Sequence, residues 1–206
     1  MGRLVRFTVA GYTERLERLV GLGRQASTEE ERERAATEVI RVCSVGAAAV
    51  VVQPLPMLDI ALLTPIHVAM VKAIGGIYGY TLDRKTALGI IGAFGASIAA
   101  QNLVIASAKL IPFASLPVAI SVAYALTHSI GEASRAYFRS GRRLSRGRMK
   151  QVFEQAYSET KREKLGATKR DRALHDRLAK ITDAYRAGVL TKEEYERKKQ
   201  EALSRL

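Results

Sequence analysis

The sequence predicts an all-α protein: Gly/Ala-rich apolar helical hairpins, preceded by amphipathic N-terminal helices and followed by a small C-terminal helical hairpin. Three observations carry that prediction. Apolar residues recur at three- and four-residue spacing toward both ends of the chain. Two helix-start patterns stand out, Thr28 followed by Glu29, Glu30 and Glu31, and the Thr191–Glu194 capping box. Between them lies a nearly charge-free middle interrupted at Pro and Gly. The 206 residues fit one domain with an appendage. The expected divisions are amphipathic helices over 1–35, an apolar membrane-associated helical domain over 36–140, a basic helical linker over 141–172 and a helical hairpin over 173–206.

Charge is unevenly spread. The net charge is +13, and residues 135–206 hold 21 basic and 10 acidic side chains, so most of the excess lies there. The middle is too apolar for a chain disordered throughout. Cys43 is the only cysteine, which excludes an internal disulfide framework and a cysteine zinc cluster. Met1 to Arg24 lacks a continuous apolar core and a small-residue cleavage site, so no signal peptide is expected. The absence of Trp argues against stacking platforms for single-stranded nucleic acid.

Taken in order, Leu4, Val5, Val9, Tyr12, Leu16, Leu19, Val20 and Leu22 give a first amphipathic helix over 4–24. The helix that starts at Thr28 runs into Val50–Val52 and stops near Pro54. From Val42 to Gly131 the only charges are Asp59, Lys72, Asp83, Arg84, Lys85 and Lys109, all at breaks. Two hairpins follow, with arms 42–53 and 60–71, then 86–108 and 117–138; Thr64-Pro65 is a possible restart inside the second arm, with Pro65 at its first position. At 1.5 Å per residue the first arms reach about 18 Å, short of the roughly 30 Å hydrocarbon core, whereas arm 86–108 reaches about 34 Å and is long enough to span. Basic residues at the feet of the hairpins match the bias for a cytoplasmic side. The alternative is a soluble bundle with the hairpins as its core.

Gly75 with Gly79, and Gly92, Gly95, Ala96 and Ala99, are candidate helix-packing positions, because small residues let backbones approach. Arg135, Arg139, Arg142, Arg143, Arg146, Arg148 and Lys150 are candidate contacts for anionic membrane lipid; nucleic-acid phosphate ranks below it because no base-reading motif is present. Leu174, Leu178, Ile181 and Tyr185 follow a 4-3-4 spacing, and with Leu190 and Tyr195 they form a narrow apolar face that is too small for a core of its own and needs a partner. His67 with Asp59, and His128 beside Thr127 and Ser129, read better as capping or packed polar residues than as a metal or catalytic site. No nucleophile elbow or triad spacing occurs. No enzyme activity, cofactor or metal is therefore expected.

Particular stretches also carry a resemblance. Pro54–Ile60, Thr64-Pro65-Ile66, Ile74–Gly79, Leu110-Ile111-Pro112, Ala125–Ala133 and Ala136-Tyr137-Phe138 resemble a bacterial domain-of-unknown-function family that includes the YcjF-type inner-membrane proteins and recurs beside Era-like GTPase domains. The likeness covers about residues 36–140. Gly188, Leu190, Thr191 and Glu193–Glu196 with Lys198-Lys199 are similar to a short SHOCT-type C-terminal domain. The resemblance implies a helical protein at the cytoplasmic face of the bacterial inner membrane, with a tail that oligomerises or binds a partner. No G-x-x-x-x-G-K-[ST] occurs, so a link to a GTPase would run through a separate partner. The functional expectation is a non-enzymatic scaffold or adaptor. The alternatives are a pore- or lesion-forming protein, or a soluble oligomeric assembly component with a buried Gly/Ala-rich core.

Overall fold

The computed structural model describes residues 2–51, 58–95, 98–99, 116–186 and 191–203. Among these every regular element is a helix: α1 (Gly2–Gln25), α2 (Glu29–Val51), α3 (Leu58–Ile77), α4 (Arg84–Gly92), α5 (Leu116–Arg139), α6 (Arg146–Arg186) and α7 (Lys192–Leu203). The chain forms two compact units, Met1–Lys161 and Arg162–Leu206. The expected divisions at 35 and 140 therefore fall inside the first unit.

Local chemistry sets the helix ends. Thr28 Oγ1 accepts the Glu31 amide N–H at 3.2 Å, and the Glu31 carboxylate accepts the Thr28 amide N–H at 3.3 Å, which closes the capping box that starts α2. Asp83 caps α4 by accepting the Thr86 amide N–H at 2.9 Å. α3 ends in a Schellman motif: the Tyr80 amide reaches the Gly75 carbonyl at 2.8 Å, the Gly79 amide reaches that of Gly76, and Gly79 takes φ +85°. α5 ends the same way, with Arg142 bonded to Tyr137, Gly141 to Phe138, and Gly141 at φ +68°.

The core of the first unit lies between α2, α3 and α5. Val39, Ile40 and Cys43 of α2 meet Met70, Val71, Ile74 and Ile77 of α3 and Leu126 and Ile130 of α5 in one buried cluster. Close approach depends on glycine. A Cβ on Gly131 would fall 2.7 Å from Ile40 Cγ1, one on Gly23 would fall 2.7 Å from Ile77 Cγ1, and one on Gly75 would fall 2.6 Å from Leu82 Cδ1. Arg24 donates to the Gly76 carbonyl at 3.1 Å, which fixes the end of α1 on α3. Ile40 is buried and β-branched, so it has little rotamer freedom with which to yield. Gly131→Ala is therefore expected to destabilise the fold by about 1–3 kcal/mol. Gly21→Ala, with open space at its Cβ, is expected to gain up to about 1 kcal/mol from helix propensity. Opposite signs in paired urea titrations check both.

Three sequence expectations need correction. α3 does not restart at Pro65: it runs from Leu58 to Ile77 with Pro65 inside it, on an exposed face. Within the expected arm 86–108, α4 breaks after nine residues at Gly92 and helical residues recur at Gly95, Ile98 and Ala99; residues 96–97 and 100–108 lie outside the described residues. At the break the Ala93 and Phe94 amides turn back to the carbonyls of Ile90 and Ile91, and Phe94 is buried against Phe153. Among the described residues no helix is long and apolar enough to cross a membrane.

The expected linker 141–172 is the third case. The first part of α6 is a core helix. Met149, Phe153, Tyr157 and Thr160 recur at helical spacing and are buried, and the Phe153 ring stacks on Phe94 at 5.0 Å.

Candidate functional site

One end of the three-helix core is polar. Glu33 of α2 is its hub: its carboxylate meets Arg135 at 3.3 Å and Arg139 at 3.8 Å and accepts a short hydrogen bond from the Tyr78 hydroxyl. Arg135 also pairs with Glu132 at 2.5 Å and donates to Thr37 Oγ1 at 2.9 Å. Burial, with the Glu33 carboxylate beside it, pushes the Tyr78 phenol well above its ordinary pKa, so it remains a donor. Next along α5, His128 Nε2 lies 3.9 Å from Glu132, and Nδ1 lies 3.2 Å from Thr160 Oγ1 of α6. Tyr124 stacks on the imidazole at 6.1 Å. This chain of groups ties α2, α3, α5 and α6 together. Among the described residues no group of three or more His, Cys, Asp or Glu could hold a metal ion.

Deeper in the core His67 is isolated from solvent. Its Nε2 meets Thr127 Oγ1 at 2.9 Å, and burial lowers its pKa to about 4, so the ring is neutral. Ser44, Ser129 and Ser134 are buried too, and each returns its hydroxyl to a carbonyl four residues back. These polar residues are satisfied core positions.

Beyond Arg139 the chain turns through Ser140–Ser145 into α6. Ser140 Oγ accepts the amides of Arg143 and Leu144, each at 3.2 Å. Arg142 sits at φ +65°, the one positive-φ residue other than glycine among the described residues. Its guanidinium lies 5.7 Å over the Tyr80 ring and its Nε donates to the Tyr137 hydroxyl at 3.4 Å. Ser145 Oγ accepts the Arg148 amide at 3.3 Å and caps α6.

The seven candidate lipid contacts thus separate. Arg135 and Arg139 belong to the Glu33 network, and Lys150 lies 3.6 Å from Glu154. Arg142, Arg143, Arg146 and Arg148 are exposed around the turn.

The opposite end of the core is apolar. Val51, Ala119, Val122 and Ala123 form a second small cluster, while Val45 is 55% and Val118 37% exposed. On α4, Leu88, Gly89 and Gly92 are exposed, as are Gly95 and Ala99 beyond it. Of the candidate packing positions, Gly75 is in a close contact, Gly79 supplies a turn, and Gly92 and Gly95 have open space at their Cβ. Ala96 lies outside the described residues. The close-packed Gly23 and Gly131 carry no sequence mark of their own, since each depends on a neighbour distant in the chain.

Residues 15–162 match the model of a family described as Domain of unknown function (DUF697). The chain belongs to this family. No curated protein and no solved structure matches it. The DUF697 match ends beside Lys161, where the first compact unit ends, so it takes in the buried part of α6.

The second unit lies beyond the DUF697 domain. There the Tyr185 and Tyr195 rings stack at 4.7 Å, and the Glu194 amide donates to Thr191 Oγ1 at 3.2 Å as the capping box requires. Leu178 and Ile181 are half-buried and Tyr185 is exposed. Leu190 and the side chain of Leu174 lie outside the described residues.

Proposed function

We propose that this protein is a non-enzymatic, membrane-associated helical scaffold or adaptor at the cytoplasmic face of the bacterial inner membrane. The DUF697 domain holds it at the bilayer, and the tail serves self-association or recruits a protein partner; a GTPase is the candidate by resemblance to YcjF-type proteins and to the SHOCT-type tail. One observation carries the reading. Along α2 and α5, Val45 and Val118 are exposed toward one end, and the arginines of the Glu33 network and of the following turn lie at the other.

The geometry makes this testable. Val118 and Arg139 are about 32 Å apart along α5 at 1.5 Å per residue. A tip that only touches the bilayer leaves the arginines far beyond the roughly 8 Å Debye length of physiological salt. Entry as far as the last uncharged turn, near Gly131, brings them to the headgroups, where each basic residue contributes about 1 kcal/mol.

Purified protein is therefore expected to sediment with phosphatidylglycerol-containing vesicles. Raising salt from 50 to 500 mM should weaken binding without abolishing it, because the apolar end still inserts. Full recovery in the supernatant at low salt would sink the proposal.

A further inference from the structure

We infer that the Ser140–Ser145 turn is a built phosphate-reading site, in which Arg142, Arg143, Arg146 and Arg148 present guanidinium forks to the phosphates of anionic lipid. The inference rests on the membrane reading above and assigns it to four residues. It differs from a diffuse basic stretch, which attracts any negative surface by charge alone.

The first observation is a contrast in pairing. On α1 and α2 five arginines have carboxylates: Arg15 and Arg41 share Glu38 at 3.0 and 2.8 Å, Arg18 meets Glu14 at 3.2 Å, Arg32 meets Glu29 at 2.8 Å and Arg34 meets Glu30 at 2.5 Å, whereas Arg24 bonds to a backbone carbonyl and exposed Arg84 of α4 has no carboxylate within 4.0 Å among the described residues. Around the turn none of the four arginines has a carboxylate within 4.0 Å among the described residues. The sequence has no acidic residue between Glu132 and Glu154 to supply one. Their counter-charge must come from outside the unit.

The second observation is rigidity. The turn is fixed by the Schellman closure of α5 and by the Ser140 hydroxyl, and the Arg142 side chain is held by Tyr80 and Tyr137. Donors ordered before binding lose less freedom when they bind. Guanidinium forks match phosphate oxygens two at a time, which ammonium groups cannot do.

Lipid is the source that the surroundings favour. The part of α5 that is not buried carries no Lys, Arg, Asp or Glu from Pro117 to Gly131, and the Glu132, Arg135 and Arg139 network lies between it and the turn. Tyr80 and Tyr137 flank it, as aromatic residues do at headgroup level.

The test keeps the charge and removes the forks. The variant R142K/R143K/R146K/R148K, and R143K/R146K/R148K in case Arg142 also steadies the turn, are compared with wild type on phosphatidylglycerol vesicles, with thermal melts as a check of folding. Both variants should bind about tenfold or more weakly, with unchanged melts. Equal binding by the triple variant overturns the inference and leaves the membrane reading standing. Failure of wild type to bind anionic vesicles removes both. Tighter binding of wild type to an oligonucleotide than to the vesicles overturns the choice of lipid.

Discussion

Phe153→Ala is expected to destabilise the DUF697 domain by about 3–5 kcal/mol, the range for removing a large buried aromatic side chain. Phe153 is 1% exposed and lies between the rings of Phe94, at 5.0 Å, and Tyr157, at 6.2 Å. Its removal leaves a cavity among Phe94, Tyr157 and the rest of the buried cluster. The loss is a large part of the 5–15 kcal/mol that holds a typical domain folded. In a protein of this size it corresponds to a drop in Tm on the order of 10 °C. Gln155→Ala, on the exposed side of the same helix, should stay within about 0.5 kcal/mol. If the two variants melt together, α6 is a linker after all and not part of the core.

Acid is expected to weaken the fold through His67. In the unfolded chain its imidazole takes up a proton near pH 6.5, while burial holds the folded value at about 4. Above pH 6.5 both states are neutral and the group contributes nothing to the pH dependence. As pH falls from 6.5 toward 4 the unfolded state binds a proton that the folded state refuses, so stability declines, and below 4 this contribution levels off. The gap amounts to a loss on the order of 3 kcal/mol. His67→Gln keeps an amide near the position of Nε2 to meet Thr127 and cannot titrate. Urea midpoints of the two proteins should therefore diverge between pH 7 and 4, wild type falling faster; parallel curves would contradict this assignment. Glu38 and Asp83, held below the usual carboxylate range by Arg41 and by Thr86 respectively, act at lower pH and are common to both proteins.

Much of the fold is legible because helix ends are local events. Thr28 and Glu31, Asp83, and Thr191 and Glu194 cap helices through bonds that span three residues. The spacing of Met149, Phe153, Tyr157 and Thr160 is a readable signal as well, but the surrounding charges mask it, and only their burial shows that this stretch is core. The break after Gly92 is not readable, because an apolar run looks the same whether the helix continues or turns to seat Phe94 on Phe153.

The candidate site divides along the same line. All seven basic residues from Arg135 to Lys150 look alike in the sequence. Tertiary structure joins two of them to Glu33, which comes from a different helix, and local spacing places Glu154 beside Lys150.

By itself the sequence determined that the protein is helical, where several helices begin and end, and that the positive charge gathers after the last apolar helix. These depend on composition and on contacts a few residues long. Only the tertiary structure decided which arginines are neutralised, which glycines are pressed against a neighbour, and that α6 begins as a core helix. Each of those depends on residues far away in the chain, and pairing and packing fix them only once the helices have come together.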